Sequence, residues 1–205
     1  AGGIIVPIVG ILLGPMPGAL AAAIGAFLGQ ILAPYAAVFG MITFVCPTVS
    51  AAVAAFLSFK RWKEGAALLG VMILIWYIVT SIAWAGDPYS YIRWYFPFLH
   101  LICLALVLAL RGKTGEWISS LDPKKMPAGM FVAALAGLLT EHMVGNMIYI
   151  VLYSGPARPF TYVVTIYPME RILPAIAAAL IGTPVSIALY KARVMLGPWA
   201  LAGES

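Results

Sequence analysis

Residues 137–150 read GLLTEHMVGNMIYI, which sets a carboxylate (Glu141), an imidazole (His142) and a carboxamide (Asn146) inside an apolar run extending from about 127 to 153. A helix rises 1.5 Å per residue and needs about 20 apolar residues to cross the hydrocarbon core of a bilayer. A run of this length therefore reads as a membrane-spanning helix. It also raises the functional question, because an ionisable side chain at mid-span is costly, about 3 kcal/mol on insertion scales, and is by default a mark of function.

Outward from this stretch the same pattern recurs. Further spans are expected at about 18–33, 37–58, 65–85, 93–111 and 166–190, with a shorter apolar segment at 4–13, IIVPIVGILL, interrupted by GPMPG at 14–18. The connectors carry turn chemistry: AGDPYSY at 85–91, RGKTGEWISSLDPKKMP at 111–127 and SGPARPF at 154–160. The expectation is all-α: a polytopic membrane helix bundle of six full transmembrane helices plus a short N-terminal apolar segment, forming one integral membrane domain over residues 1–205. Composition agrees. The chain is 63% hydrophobic and 9% charged, where a soluble domain carries roughly 25% charged residues, so there is too little polar surface to cover a globule in water.

The net charge of +5 reads as membrane orientation, not as nucleic-acid binding. Lys60, Arg61 and Lys63 fall in one connector, Arg111, Lys113, Lys124 and Lys125 in another, and Lys191 and Arg193 in the tail, while the alternate connectors hold Arg93 and Arg158. The positive-inside rule then predicts a multi-pass protein of the cell membrane with its C-terminus in the cytoplasm. The span 18–33 runs from inside to outside, and 4–13 starts on the outer side or re-enters. The chain opens at Ala1 without Met or a charged leader, which is not a signal-peptide pattern and leaves room for an upstream segment. Cys46 and Cys103 both lie in apolar spans and read as buried free thiols.

The polar groups at mid-span carry the candidate site. Glu141 and Gly145 share a helical face, and His142 and Asn146 are four apart and adjacent on the helix surface. A second cluster, YPMERILP, places Glu170 and Arg171 near the outer end of the last span, with Pro168 expected in its first turn. Glu170 is expected to point inward, and Arg171 either pairs with Glu141 or snorkels outward. Trp84 and Trp94 flank the outer connector; the aromatic residues there form an interfacial belt, a stacking wall for a planar ligand, or both. Three readings of the buried polar groups stay open: an ion-pair and hydrogen-bond network that fixes helix register, a substrate pocket, and a proton or ion relay. The carboxylates favour a cationic or hydrogen-bond-donating substrate. With two His residues on different spans, no metal site and no cofactor is expected. The chain lacks a Gly-x-Ser-x-Gly elbow, a His-Glu-x-x-His pair and a phosphate-binding P-loop, so it is not read as an enzyme.

Small residues make a separate pattern. In GALAAAIGAFLG, residues 18–29, Gly18, Ala22, Ala26 and Gly29 fall on one helical face. In lipid, helices associate through close backbone approach, which small residues permit. The stripe serves either packing within the chain or docking of a partner membrane protein.

Two segments together resemble the substrate-binding S components of energy-coupling factor (ECF) transporters. VGILLGPMPGALAAAIGAFLGQIL is similar to the opening of that family, an apolar helix, a Gly-Pro turn and a Gly/Ala-rich helix; YPMERILPAIAAALIGTPVSIALYKA is similar to its last helix. The resemblance implies a six-helix protein that captures a vitamin-like micronutrient from outside. It implies as partners a transmembrane coupling subunit and ATPase subunits, which supply the ATP hydrolysis this chain has no motif for, and membrane lipid around the bundle. Release by toppling within the membrane is implied as well. Ala22 and Ala26 match the family's alanine contact motif if 18–33 is the first helix; the segment 4–13 leaves that count open. The other reading is a non-transporting structural subunit of a membrane complex.

Overall fold

The fold is known from a computed structural model that describes residues 2–194 and 196–200; among these it contains nine α-helices and no strand. They are α1 (Gly2–Leu13), α2 (Pro15–Leu32), α3 (Val45–Ser58), α4 (Trp62–Ala83), α5 (Ile92–Tyr95), α6 (Phe98–Leu110), α7 (Lys113–Ser119), α8 (Met126–Leu152) and α9 (Phe160–Lys191). Six segments are long and apolar enough to cross a membrane: Pro15–Leu32, Gly40–Ser58, Trp62–Ala83, Ile92–Leu110, Met126–Leu152 and Phe160–Lys191. The polytopic all-α bundle expected from the sequence is therefore present.

Three boundaries differ from expectation. The second span opens as a 3-10 turn, Gly40–Phe44, before α3 begins. The fourth is broken between α5 and α6 at Pro97, whose ring excludes a regular helical hydrogen bond. The last starts at Phe160, earlier than 166, because the aromatic and β-branched run FTYVVTIY is itself apolar enough to continue the span. Pro168 thus lies inside α9 together with Pro174 and Pro184, and not in its first turn. Prolines are tolerated there because neighbouring helices support the freed backbone groups.

The centre of the bundle is α8, packed against α3, α9, α4, α7, α6 and α1. Small residues let the backbones meet. A Cβ on Gly137 would run into the Ser50 carbonyl of α3, and one on Gly145 would lie 3.3 Å from the Phe39 ring and 3.7 Å from Cys46 Sγ. The helix α1, too short to cross a bilayer alone, is wedged into the bundle against α3, α9 and α8. It joins α2 through Gly14, whose φ of 91° lies in the left-handed region that glycine alone enters freely. At the crossing of the two helices a Cβ on Gly18 would sit 2.8 Å from Gly10 Cα. By contrast α2 makes its main contacts only with α1, α3 and the 3-10 turns, and much of it is exposed.

The two ends of the bundle differ in charge. At one end the Gly14 turn meets Phe59, Gly115 meets the Lys60 backbone, and Gly112 meets Trp62, so the connectors bearing Lys60, Arg61, Lys63, Arg111 and Lys113 come together. At the other end Trp84 Nε1 donates to the Gly155 carbonyl (2.9 Å) and the Ala157 N–H donates to Asp87 Oδ2 (3.1 Å), which ties the α4–α5 connector to the α8–α9 connector.

The break at Pro97 is held by a side chain from α9. The Tyr167 hydroxyl donates to the Phe96 carbonyl (2.8 Å) and accepts from the Leu99 N–H (3.3 Å), satisfying backbone groups that the interrupted helix leaves without partners. Tyr167→Phe is expected to lower stability by about 1–3 kcal/mol, because both groups are then buried unpaired. Thermal melting of the purified variant measures this, and an unchanged melting temperature would show that the hydroxyl is dispensable.

Candidate functional site

Glu141 owes its position to the glycines on either side. Gly137, Glu141 and Gly145 succeed one another at four-residue intervals on α8, and both glycines draw α3 close, one at Ser50 and the other at Cys46. Between those two close approaches the Glu141 side chain enters a cleft of about 740 Å3. Its walls are α1 (Gly2, Gly3, Val6, Val9) and α2 (Ala22, Gly25, Ala26, Gly29), which diverge from their crossing at Gly10 and Gly18; Thr43 and Pro47 close the side nearest α3. A Cβ on Gly25 or Gly29 would meet nothing within 4 Å, so small residues here leave space where at Gly18 they permit contact. The cleft falls within the range of small-molecule sites, mostly apolar with few polar groups. Gln30 borders it with its amide held between the Phe44 N–H (2.7 Å) and the Met41 carbonyl (3.2 Å) in the orientation its hydrogen bonds require.

Helical phase sorts the remaining candidates. On α9 the buried stripe runs through Tyr167, Ala175, Ala178 and Gly182, and Arg171 falls on it. Glu170, one position earlier, is exposed on the outer face with Met169 and Leu173. Glu170 thus points outward and not inward as expected, and of the two orientations open for Arg171 the inward one is found. Arg171 lies within electrostatic reach of Glu141, His142 and His100. It makes no direct ion pair with Glu141: among the described residues the pairs within 4.0 Å are Arg61 with Glu64 and Lys125 with Asp122. Arg171 Nε and Asn146 Nδ2 are buried without a hydrogen-bond partner, and the Ser50 hydroxyl lies beside the Glu141 carboxylate without closing to hydrogen-bond distance.

His142 points away from the cleft. Its ring stacks on Tyr167 (4.7 Å between centroids) and on His100 of α6 (5.6 Å, 14° between planes), with Phe96 at 5.5 Å. Of the three polar residues on α8, therefore, only Glu141 lines the cleft. His142 belongs to an aromatic layer behind it, and Asn146 is half-buried a turn further along. His100 and Tyr167 were not singled out as site residues from the sequence. An uncharged-looking HLI within an apolar span was the available signal for His100, and the register that stacks it on His142 is set by the break at Pro97.

The two tryptophans separate. Trp84 is buried against Trp76 and Phe160, and its indole N–H is used by Gly155. Trp94 is exposed and rests on Tyr77 at 5.4 Å. The structure thus divides the outer aromatic residues between a core cluster and an exposed belt of Tyr91, Trp94 and Tyr95. The stripe on α2 divides as well: Gly18 and Ala22 are buried and Gly18 packs on α1, while Ala22, Ala26 and Gly29 face the cleft. Both cysteines are free and buried, and no group of three His, Cys, Asp or Glu among the described residues converges to hold a metal ion.

Among curated proteins the chain is similar to an uncharacterised protein of Methanocaldococcus jannaschii, 28% identical over 172 residues that cover 84% of this chain and 55% of that protein. The chain therefore spans about half the length of the relative it matches. No protein-family model and no solved structure matches the chain.

Proposed function

We propose that this chain is the substrate-binding subunit of an ECF-type uptake transporter, taking a small micronutrient from outside and handing it to an ATP-driven coupling module. The observation that carries the reading is the cleft of about 740 Å3 between α1 and α2, with the Glu141 carboxylate in its wall. A buried carboxylate in a membrane bundle is expensive unless something compensates it, and a cleft beside it admits a ligand that does. Two features support the direction of uptake. The basic connectors gather at one end, which the positive-inside rule assigns to the cytoplasm. The cleft runs from Leu13 beside that end to Gly2, Gly29, Gln30 and Thr43 toward the other. The resemblance to S components supports the coupling to separate ATPase subunits.

The exposed apolar face of α2, with Leu20, Ile24, Leu28 and Ile31 uncovered, also suits a structural subunit whose α2 packs on a partner. Native mass spectrometry of the purified chain separates the two. A stoichiometric small molecule carried by the chain alone supports the binding subunit; lipid alone, with no gain in melting temperature across a panel of vitamins, supports the structural subunit.

Orientation has its own test. A cysteine replacing Gly86 is expected to react with an impermeant maleimide added outside intact cells, and one replacing Lys60 is expected to react only after the membrane is opened. The reverse pattern would place the cleft toward the cytoplasm and end the uptake reading.

A further inference from the structure

The cleft beside Glu141 is bounded by protein at both ends and open along one side. One end is the crossing of α1 and α2 at Gly10 and Gly18. The other is bordered by Gln30 and Thr43. There the Gln30 amide ties α2 to Met41 and Phe44, and the Phe27 and Phe44 rings meet edge-on at 6.0 Å. The side is different. Ala21, Gly25 and Gly29 recur every four residues on α2, line the cleft and are exposed; opposite them Ile5 of α1 also lines it and is 55% exposed. Residues that border a cavity and the outer surface at once form its rim. Gly25 lies ten residues from the start of α2 and seven from its end, about 15 and 10 Å, so the rim stands within the span and not at its edge. Glu141, fifteen residues into α8 and eleven from its end, is also at mid-span, about 22 and 16 Å from the two ends.

At that depth a spanning bundle is surrounded by hydrocarbon and not by water. A molecule that enters between Ile5 and Gly25 must first dissolve in the bilayer, and this requires an apolar body. Inside, the polar side chains on the walls are Gln30, Thr43 and Glu141. Two of them are already committed to the backbone: Gln30 to Met41 and Phe44, and Thr43 by donating to the Gly40 carbonyl (2.9 Å) while accepting from the Phe39 N–H (2.9 Å). Glu141 has no ion pair among the described residues and is the group left to recognise a ligand. In an apolar surrounding a carboxylate favours a cation or a donor and repels an anion. We propose that the cleft takes an amphipathic molecule sideways from the bilayer, its single apolar body against the small residues of α2 and its amine or N–H head on Glu141. A phospholipid, which would bring its phosphate toward the carboxylate, is disfavoured. The inference rests on the proposed binding role of the cleft and narrows the substrate from any cation or donor to an amphipathic one.

The test uses the full chain and three probes with the same body: dodecylamine, dodecanol and dodecanoate, each followed as a bound mass in native mass spectra. Dodecylamine is expected to bind one per chain and at least about tenfold more tightly than dodecanoate, and Glu141→Gln is expected to reduce it to the level of dodecanol. Gly25→Phe, which fills the rim where a Cβ meets nothing within 4 Å, is expected to lose dodecylamine at an unchanged melting temperature, while Gly25→Ala keeps it. The position of the rim is read separately, in phosphatidylcholine vesicles, from a nitroxide attached to the Gly25→Cys variant. It is expected to collide with dissolved oxygen and not with a water-soluble nickel chelate, and this readout stands even if Gly25→Phe fails to fold. Equal binding of dodecylamine and dodecanoate, full binding in folded Gly25→Phe, or collision with the nickel chelate would overturn the inference. A stoichiometric water-soluble molecule on a chain that ignores all three probes would do the same and leave the binding role intact. Phospholipid alone, with no probe and no other small molecule bound, would overturn the binding role itself.

Discussion

Glu141→Gln is expected to move binding and stability in opposite directions. Glutamine has the same shape and fits the same gap between the Gly137 and Gly145 approaches, so packing against α3 is retained. The carboxylate is exchanged for a neutral amide, which removes the cost of holding a carboxylate in the bundle where no ion pair compensates it, and the melting temperature should stay level or rise. A charge-assisted hydrogen bond to the ligand is lost in a site where water does not replace it, which is about 3 kcal/mol and roughly a hundredfold in Kd. Such a trade of stability for function is common at functional sites. The measurement is a pair of titrations and melts on wild type and variant. A lower melting temperature with unchanged affinity would mean that Glu141 only fixes helix register.

The second large effect is structural. Gly10→Val is expected to dislodge α1, because a Cβ at this position would overlap the Ala51 carbonyl of α3 and lie 2.8–2.9 Å from that residue's other backbone atoms, with no flexible side chain able to give way. The loss should be at least about 3 kcal/mol, in the range of severe core overpacking. Because α1 also forms one wall of the cleft, ligand binding should vanish with it. Gly29→Ala is the control: a Cβ added in α2 where nothing lies within 4 Å should leave stability level or raise it by up to about 1 kcal/mol. Equal melting temperatures for Gly10→Val and wild type would contradict the wedged position of α1, and a large loss in Gly29→Ala would contradict the open cleft.

The contrast between these glycines marks the limit of sequence reasoning. In the text GALAAAIGAFLG, Gly18 and Gly29 look alike, and both belong to the small-residue stripe. In the fold Gly18 admits Gly10 of α1 and Gly29 borders empty space, because α1 and α2 diverge from a single crossing point. Divergence depends on where α1 is wedged between α3, α8 and α9, and no local pattern encodes that. The same holds for Glu170 and Arg171. Adjacent positions on a helix differ by about 100° in direction, so one faces in and one out, but which is which depends on where α9 begins and how it turns against α8.

By itself the sequence determined the six spanning helices, the clustering of the basic connectors and the presence of a polar group in the middle of the most buried span. These are consequences of hydropathy, length and turn residues, which act along the chain and are read along the chain. Only the tertiary structure decided that Glu141 faces a cleft while His142, one residue on, stacks in an aromatic layer with His100 and Tyr167, and that Arg171 falls on the inward stripe of α9 without an ion pair to Glu141. Those outcomes arise from the rotation and close approach of whole helices, set by glycine contacts between residues distant in the chain.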